Sequence, residues 1–376
     1  MAPVNYHLGK FPPQNIDLAY LSNITGQASI ALGRYDGLLS AIPNAELLLS
    51  PLRTQEAVLS SSIEGTRVTM SEVLEIEAGA ETEGLTQSKR DDTEEILNYR
   101  EALYNCAAEI SRRPISPQMI RMAHAMLMRG VRGKDKTPGE FRHDQNWIGT
   151  PHCAITEAGF VPIAPEHLSS GMEAWSDYIS SDQSLNSLVK LAIIHVEFEA
   201  LHPFLDGNGR LGRMLIPLYL FQERILGNPS FYMSAYLEKY REEYQERMRR
   251  VSSHDDWTQW IEFFVKGIGI QAEENTQKAR KILALYNEMK DKIVGATHSQ
   301  YASRALDFIF QWIFFSTNHF CKYSKIPNSS ARNILKQLSD AGIVDLVSRG
   351  SGRRPSFFWF RQLRDIVDPK PAANRR

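Results

Sequence analysis

Cysteine is scarce in this 376-residue chain. Cys106, Cys153 and Cys321 stand far apart and form no C-x-x-C pair. That spacing argues against a disulfide framework and against a cysteine zinc site. Three reduced, partly buried thiols are expected, which suits a reducing compartment. Long apolar runs are also missing. The longest, "MLIPLYLF" from Met214 to Phe221, falls well short of the ~20 residues that cross a bilayer. The opening "MAPVNYHLGKFPPQ" lacks the basic and apolar regions of a secretory signal. A cytoplasmic protein with no membrane contact is therefore expected. Nor does one sign of charge dominate: 43 Lys and Arg face 44 Asp and Glu, for a net charge of −1. Only a local patch could then attract nucleic acid. Repeats and low-complexity tracts are absent too. What remains is ordinary globular composition, long enough for two or three domains.

Most of the chain reads as helix. "SPLRTQEAVLSSSIEG" has a capping serine, Ser50, then Pro51 at the first helical position, and it stops at Gly65. Thr69 and Glu72 have capping-box spacing. The polar, Gly-containing "GAETEGLTQSK" predicts an exposed loop, with helix resuming over 92–111. "SPQMIRMAHAMLMRG" starts at Ser116-Pro117 and ends at Gly130. From Trp147 to Pro162 the helical pattern breaks, and two short apolar pieces around "TEAG" predict a β-hairpin. In "SLVKLAIIHVEFEAL" Leu188, Leu191, Ile194, Phe198 and Leu201 recur at helical spacing. A helix pair is expected over 236–250 and 257–266, then a helical connector to about Lys292. From about His298 to Phe360 the order is helix, strand, basic turn, strand, which is a winged-helix pattern.

One stretch carries chemistry. "HPFLDGNGRLGR", His202 to Arg213, joins the end of one helix to the start of the next. "DGNG" favours a turn over a continuing helix. Pro217 predicts a kink or a break in the second helix. Exposed backbone N–H groups at a helix N-terminus bind anions, and glycines let a ligand come close to the backbone. Arg210 and Arg213 share one face of the first turn. Cations are disfavoured there by the helix dipole, so an anion with several oxygens, such as a polyphosphate, explains both. Asp206 beside a phosphate implies a bridging cation, and Mg²⁺ binds through one carboxylate plus phosphate oxygens. His202 can accept a proton near neutral pH. Cradle, cation and base together suggest transfer of part of a nucleotide to a hydroxyl.

"HPFLDGNGRLGR" resembles the Fic family signature, His-x-Phe-x-Asp/Glu-Gly-Asn-Gly-Arg-x-x-Arg, at every fixed position. The order of helices, hairpin, signature helix pair and C-terminal winged helix also resembles multi-domain bacterial Fic proteins over most of the chain. The resemblance implies a mainly α fold: a helical core with a small β-hairpin flap, plus the winged helix. It implies protein AMPylation, in which a Ser, Thr or Tyr hydroxyl of a target protein attacks the α-phosphate of ATP. By motif position His202 is the general base and Asp206 holds Mg²⁺. The backbone of Gly207, Asn208 and Gly209 cradles the α- and β-phosphates, and Arg210 and Arg213 take the β- and γ-phosphates. Phe204 packs in the core, and Tyr244 lines the adenosine pocket. The hairpin at Trp147 to Pro162 resembles the flap that pairs with a target's backbone. "SSSIEG" resembles the family's inhibitory motif through Ser60, Glu64 and Gly65, and this implies that Glu64 pairs with Arg213 and blocks productive γ-phosphate binding.

Other candidates carry blander readings. His195, Glu199 and His202 share a helical face, but core packing for His195 outweighs a metal role. His124 reads as a satisfied core histidine, and Arg142 and His143 are assigned no chemistry. The C-terminal block has nine Lys and Arg against two Asp and Glu between Lys322 and Arg364. Arg353 and Arg354 would lie in the wing, and Arg332 and Lys336 on the recognition helix. DNA and a protein-interaction or dimerisation role stand equal there. The expected divisions are a helical segment over 1–95 carrying the inhibitory motif, a Fic core over 96–267, a connector over 268–297, and a winged helix over 298–376. Two functional alternatives stay open: a nucleic-acid-binding regulator whose core senses nucleotide, and a Fic enzyme that removes AMP or uses another donor. The target, the modified hydroxyl and the oligomeric state are not fixed by the sequence, and a homodimer is compatible with it.

Overall fold

The computed structural model describes residues 3–369, apart from 43, 81–85, 131–135, 151, 182–184 and 352–353. Among the described residues are sixteen α-helices and five short strands. Two compact units emerge. One comprises Met1–Asp36, Leu59–Thr66 and Glu94–Glu274, and the other Gly37–Val58, Arg67–Thr93 and Asn275–Arg376.

The first unit is built around the helix Ser187–Leu201. Apolar residues cover it on every side, and nearly all of its residues are buried. Such a helix belongs in the middle of a core. Asn186 caps it by accepting the Leu188 N–H at 2.9 Å. Asn208–Gln222 packs against it, as does Pro165–Ser180. The indoles of Trp175 and Trp260 donate to the Ile194 and Ala192 carbonyls at 3.0 and 2.8 Å. Pro217 does not end Asn208–Gln222, which runs its full 15 residues. Burial of its Leu211–Leu220 stretch offsets the one lost backbone bond.

Two further sequence readings are corrected here. The expected closing helix and connector form one helix, Trp257–Thr297, of 41 residues. Gly267 does not break it, because a Cβ there would lie 2.4 Å from the Tyr236 ring. That glycine serves close packing. The hairpin at 147–162 is reduced to a single antiparallel bridge, Ile148 to Phe160, with a 3-10 turn at Ile155–Glu157. The strand Phe160–Val161 instead pairs in parallel with Val4–Asn5, from the other end of the sequence. Gly149 packs against the Cys153 sulfur, and the Trp147 indole donates to the Cys153 carbonyl at 3.0 Å. These contacts close the loop before a ladder can lengthen.

In the second unit Thr69 forms the capping box of Met70–Glu77: its hydroxyl accepts the Glu72 N–H, and its own N–H donates to the Glu72 carboxylate at 2.8 Å. The helix expected over 92–111 begins earlier, as Gln87–Ile110. Most of the predicted loop before it lies outside the described residues. The C-terminal part runs helix Ala302–Gln311, strand Phe314–Ser316, helices Thr317–Tyr323 and Asn328–Asp340, then strands Asp345–Ser348 and Phe357–Trp359. The last strand is central in an antiparallel sheet, between the other two. Phe314–Ser316 was not foreseen from sequence. Its Phe314 and Phe315 stack on Phe357 and Phe358.

Cys106 is buried, and Cys153 and Cys321 are half-buried, all as free thiols. Burial pushes the Cys106 thiol up to about 12. No helix among the described residues is long and apolar enough to cross a membrane.

Candidate active site

His202 sits where Ser187–Leu201 ends. Its backbone is left-handed, with φ of 46°, a conformation uncommon outside glycine, Asn and Asp. Arg142 holds it there. The buried guanidinium donates through Nε to the His202 carbonyl at 2.9 Å, and through its other nitrogens to the Asp144, Ile163 and Leu201 carbonyls. Its backbone N–H donates to the Pro203 carbonyl at 2.9 Å. One cation thereby satisfies carbonyls left open at the helix end. Sequence reasoning assigned Arg142 no role, because nothing local links it to residues sixty positions away.

The loop that follows is fastened by side chains. Asn208 accepts from the Phe204 N–H at 2.9 Å and donates to the Phe204 carbonyl at 2.8 Å. Asp206 accepts the Gly207 N–H at 2.6 Å. His124 stacks on Phe204, with ring centroids 3.8 Å apart. Its Nδ1 accepts from the Gly139 N–H at 2.8 Å, so Nε2 carries the proton donated to the Asp206 carbonyl at 3.1 Å. Burial lowers its pKa to about 4. Gly207 has φ of 79°, and a Cβ there would press on Met128 and Leu127 at 3.1 and 3.3 Å.

The His202 imidazole donates from Nδ1 to the Glu199 carbonyl at 3.3 Å. That leaves Nε2 with a free lone pair. Burial is the main cause of its pKa falling to about 4, against the opposing pull of the Glu199 carbonyl and the Glu64 charge. A neutral imidazole with an open Nε2 can take a proton.

Arg213 is fully buried at the start of Asn208–Gln222. Its Nε donates to the Ser60 hydroxyl at 2.9 Å, and its Nη2 to the Ser60 carbonyl at 2.8 Å and to Glu64 Oε1 at 2.7 Å. Burial raises the Glu64 carboxyl, but the charge and hydrogen bond of Arg213, helped by Arg210 and His202, pull it below its ordinary value. Glu64 follows the end of Ser50–Ile63, where the helix dipole disfavours an anion. Arg213 and the N-terminus of Asn208–Gln222 compensate. A Cβ on Gly209 would lie 2.2 Å from Glu64 Oε1, so the carboxylate rests against the backbone of that N-terminus. Gly65 turns the chain away with φ of 94°. Arg210 is occupied too, donating to Glu95 at 2.9 Å and to Asp206 at 3.3 Å. Glu95 was not singled out from sequence.

A cavity of about 340 Å³ opens beside these groups. His202, Arg213, Glu64, Gly209, Tyr244 and Phe160 are among those lining it. Tyr244 is buried, and its hydroxyl lies 2.8 Å from His195 Nε2. His195 in turn donates from Nδ1 to the Gly212 carbonyl at 3.0 Å, as a neutral core residue. Glu199 also lines the cavity; its Oε1 is buried without a hydrogen bond, and burial raises its pKa to about 7. No cluster of three His, Cys, Asp or Glu suited to a metal occurs among the described residues.

A helix end, a glycine turn fastened from both sides and a second helix that presents Arg210 and Arg213 near its N-terminus bring donors suited to an anion beside a histidine. Two family models match the chain, Fic/DOC family N-terminal over residues 23–108 and Fic/DOC family over 114–220. The chain belongs to the Fic/DOC family. It is 29% identical over 192 residues to a protein adenylyltransferase Fic of Drosophila willistoni, covering 49% of this chain and 36% of that protein. With a probable protein adenylyltransferase of Aquifex aeolicus it shares 24% identity over 198 residues, 51% of this chain and 57% of the relative. The chain thus spans little more than a third of the fly protein's length. Its fold is that of a Fic family protein from Desulfovibrio desulfuricans G20, with a TM-score of 0.57 at 20% identity over 93% of this chain and 98% of that one. Fic-1 of C. elegans matches with a TM-score of 0.54 at 19% identity, over 71% and 75% of the two chains.

Proposed function

We propose that this chain is a protein adenylyltransferase held in check by Glu64. The observation that carries the reading is the Glu64–Arg213 pair lying against Gly209, at 2.7 Å. A carboxylate there takes the place of a phosphate at the helix N-terminus. Four observations support the transferase half: the signature, the matching family models, the likeness to protein adenylyltransferases, and an imidazole whose Nε2 is free.

ATP lies with its phosphates along the first turn of Asn208–Gln222. A Ser, Thr or Tyr hydroxyl of a target protein presented beside the Ile148–Phe160 bridge gives its proton to His202 Nε2. The hydroxyl oxygen forms a bond to the α-phosphorus, the bond from that phosphorus to the β-phosphate bridging oxygen breaks, and pyrophosphate leaves. Arg210 and Arg213 neutralise charge on the departing phosphates. Asp206 fits a Mg²⁺ ion: both its contacts fall on Oδ1, and the side chain is 46% exposed. Bound there with phosphate oxygens and water, the ion would offset phosphate charge. Tyr244 forms a wall of the cavity for the adenosine. While Glu64 holds Arg213, the γ-phosphate lacks its partner and the α-phosphate is misplaced. A shift of about 1 Å can cost roughly 100-fold in rate.

The C-terminal order of helix, strand, two helices and two strands supports a winged-helix reading.

Intact mass spectrometry after incubation with Mg²⁺ and ATP tests the proposal, on wild type, Glu64→Gly and Glu64→Gly/His202→Ala, alone and with cell lysate. AMP adducts should rise roughly 10- to 100-fold on Glu64→Gly and vanish in the double variant. Equal labelling of wild type and Glu64→Gly would remove the inhibitory role. No labelling by any variant, with lysate present, would remove the transferase role.

A further inference from the structure

The helix Asn328–Asp340 has two unlike faces. Ala331, Ile334, Leu335 and Leu338 are buried. Ser329, Arg332, Asn333 and Lys336 are exposed, at the three- and four-residue spacing that puts them on one side. None of the four side chains has a hydrogen bond or ion pair among the described residues. The surrounding sequence is one-signed: between Asp307 and Asp340 there is no carboxylate, while Lys322, Lys325, Arg332 and Lys336 fall there. Lys322 and Lys325 are exposed at the end of the preceding helix, Thr317–Tyr323, and in the turn after it. That turn is fixed: Lys325 is left-handed with φ of 57°, and Arg304 donates to its carbonyl at 2.6 Å. The loop joining Asp345–Ser348 to Phe357–Trp359 adds an exposed Arg349 and Arg354 and no acid. Arg353 lies outside the described residues.

A chain with a net charge of −1 does not gather such a patch through overall basicity. Its composition is also selective. Solvation alone would be served by Glu and Lys mixed, as on an ordinary exposed helix. Here the face carries one guanidinium, one primary amide, one hydroxyl and one ammonium. Guanidinium and amide make paired hydrogen bonds to guanine and adenine edges, and an α-helix fits the major groove. Lysines at the flanks suit phosphate contacts, which position without reading sequence.

We propose that this face reads duplex DNA, with Arg332 and Asn333 toward base edges and Lys336, Lys322 and Lys325 toward phosphates. The inference does not depend on the adenylyltransferase reading.

Fluorescence anisotropy of the full chain with a labelled 30-base-pair duplex, without ATP, tests it. Micromolar binding is expected at about 50 mM salt, weakening linearly on a log–log plot as salt rises. Arg332→Ala/Lys336→Ala should weaken binding at least roughly tenfold and lower the salt slope by about 1, the share of the Lys336 phosphate contact. Selection from a randomised duplex pool should enrich a site, and Asn333→Ala should relax it at one position. No binding by wild type at low salt overturns the proposal. So does an unchanged affinity and slope in the folded double variant. Either result would point to a protein partner instead, for which Leu346 and Val347, 39% and 49% exposed on the neighbouring strand, are the apolar anchor.

Discussion

Arg142 donates to the carbonyl of His202 at 2.9 Å, sixty residues away in sequence. It therefore fixes the backbone, and not the imidazole, of the histidine at the mouth of the cavity. Burial lowers its pKa to about 10, so it remains charged at neutral pH. Arg142→Ala would strip several buried carbonyls of their donor at once. A loss of about 3 kcal/mol in unfolding free energy is expected. Arg142→Lys should recover only part of it, because an ammonium cannot span the same carbonyls. Urea titration of the two variants checks this. Equal stability of Arg142→Ala and wild type would refute it.

Asn208 closes a two-bond clip on the Phe204 backbone. Asp at this position keeps the acceptor and loses the donor, leaving the Phe204 carbonyl facing a carboxylate. Asn208→Asp should destabilise the protein by about 1–3 kcal/mol. In the Glu64→Gly background it should lower AMP transfer more than it raises the KM for ATP, since the loop is misaligned and not removed. Paired thermal melts and steady-state kinetics separate the two effects.

Three histidines are held neutral by burial: His124 and His202 at about 4, and His195 at about 3. Their unfolded value is near 6.5. Below that pH the unfolded chain takes up protons that the folded chain refuses. Stability is full above about 6.5 and is lost as pH falls toward 4. The three histidines contribute close to ~4 kcal/mol per pH unit to the slope near pH 5, about three protons' worth, and the opposite titration of Glu199 offsets somewhat less than one of them. Denaturant curves at pH 7, 6 and 5 measure it. His195→Gln should flatten the slope by about one proton, and an unchanged slope would count against the assignment.

Glu199 has the opposite sign. Burial, aided by the Glu64 charge, raises its carboxyl to about 7. Its neutral form suits the fold, so its contribution is complete below about 4.5 and is lost as pH rises through about 7. Glu199→Gln should match wild type at low pH and exceed it in stability at pH 8. In Glu64→Gly the repulsion is gone and Arg213 is released, so the Glu199 pKa should fall. Carbon-13 NMR titration of the side-chain carboxyl reads that shift directly.

The N-terminal strand is tied to the core by a buried cluster. Tyr6 donates to Glu197 at 2.6 Å, and His7 Nε2 meets its other oxygen at 2.8 Å. The Glu197 side chain is wholly enclosed. Removing one partner leaves a buried charge poorly matched, so His7→Ala should cost about 3 kcal/mol. It should also speed amide exchange at Phe160 and Val161, which pair with Val4–Asn5. Exchange rates unchanged from wild type would show that the strand is held by other means.

Much of the chemistry was legible one turn at a time. The turn "DGNG", the caps at Ser116 and Thr69, and the apolar periodicity of Ser187–Leu201 are properties of neighbouring residues. Local backbone preference and short-range hydrogen bonds decide them, and the structure has each in place. The resemblance to the Fic family was carried by one short stretch, His202 to Arg213, and the family models match far more of the chain, over residues 23–108 and 114–220. Packing decided the rest. Pro217 reads as a kink or a break because local propensity counts it so, yet burial of the residues around it carries Asn208–Gln222 through its full length. Arg142 on the His202 carbonyl, Glu95 on Arg210 and Val4–Asn5 beside Phe160–Val161 join residues that no local pattern connects. Glu64 and Arg213 are 149 residues apart and meet at 2.7 Å. The sequence by itself determined which residues gather in the turn after Leu201 and where several helices begin. The tertiary structure decided which charges face one another, because ion pairs and buried carbonyls are satisfied by whatever the folded core brings within about 3 Å, at any distance along the chain.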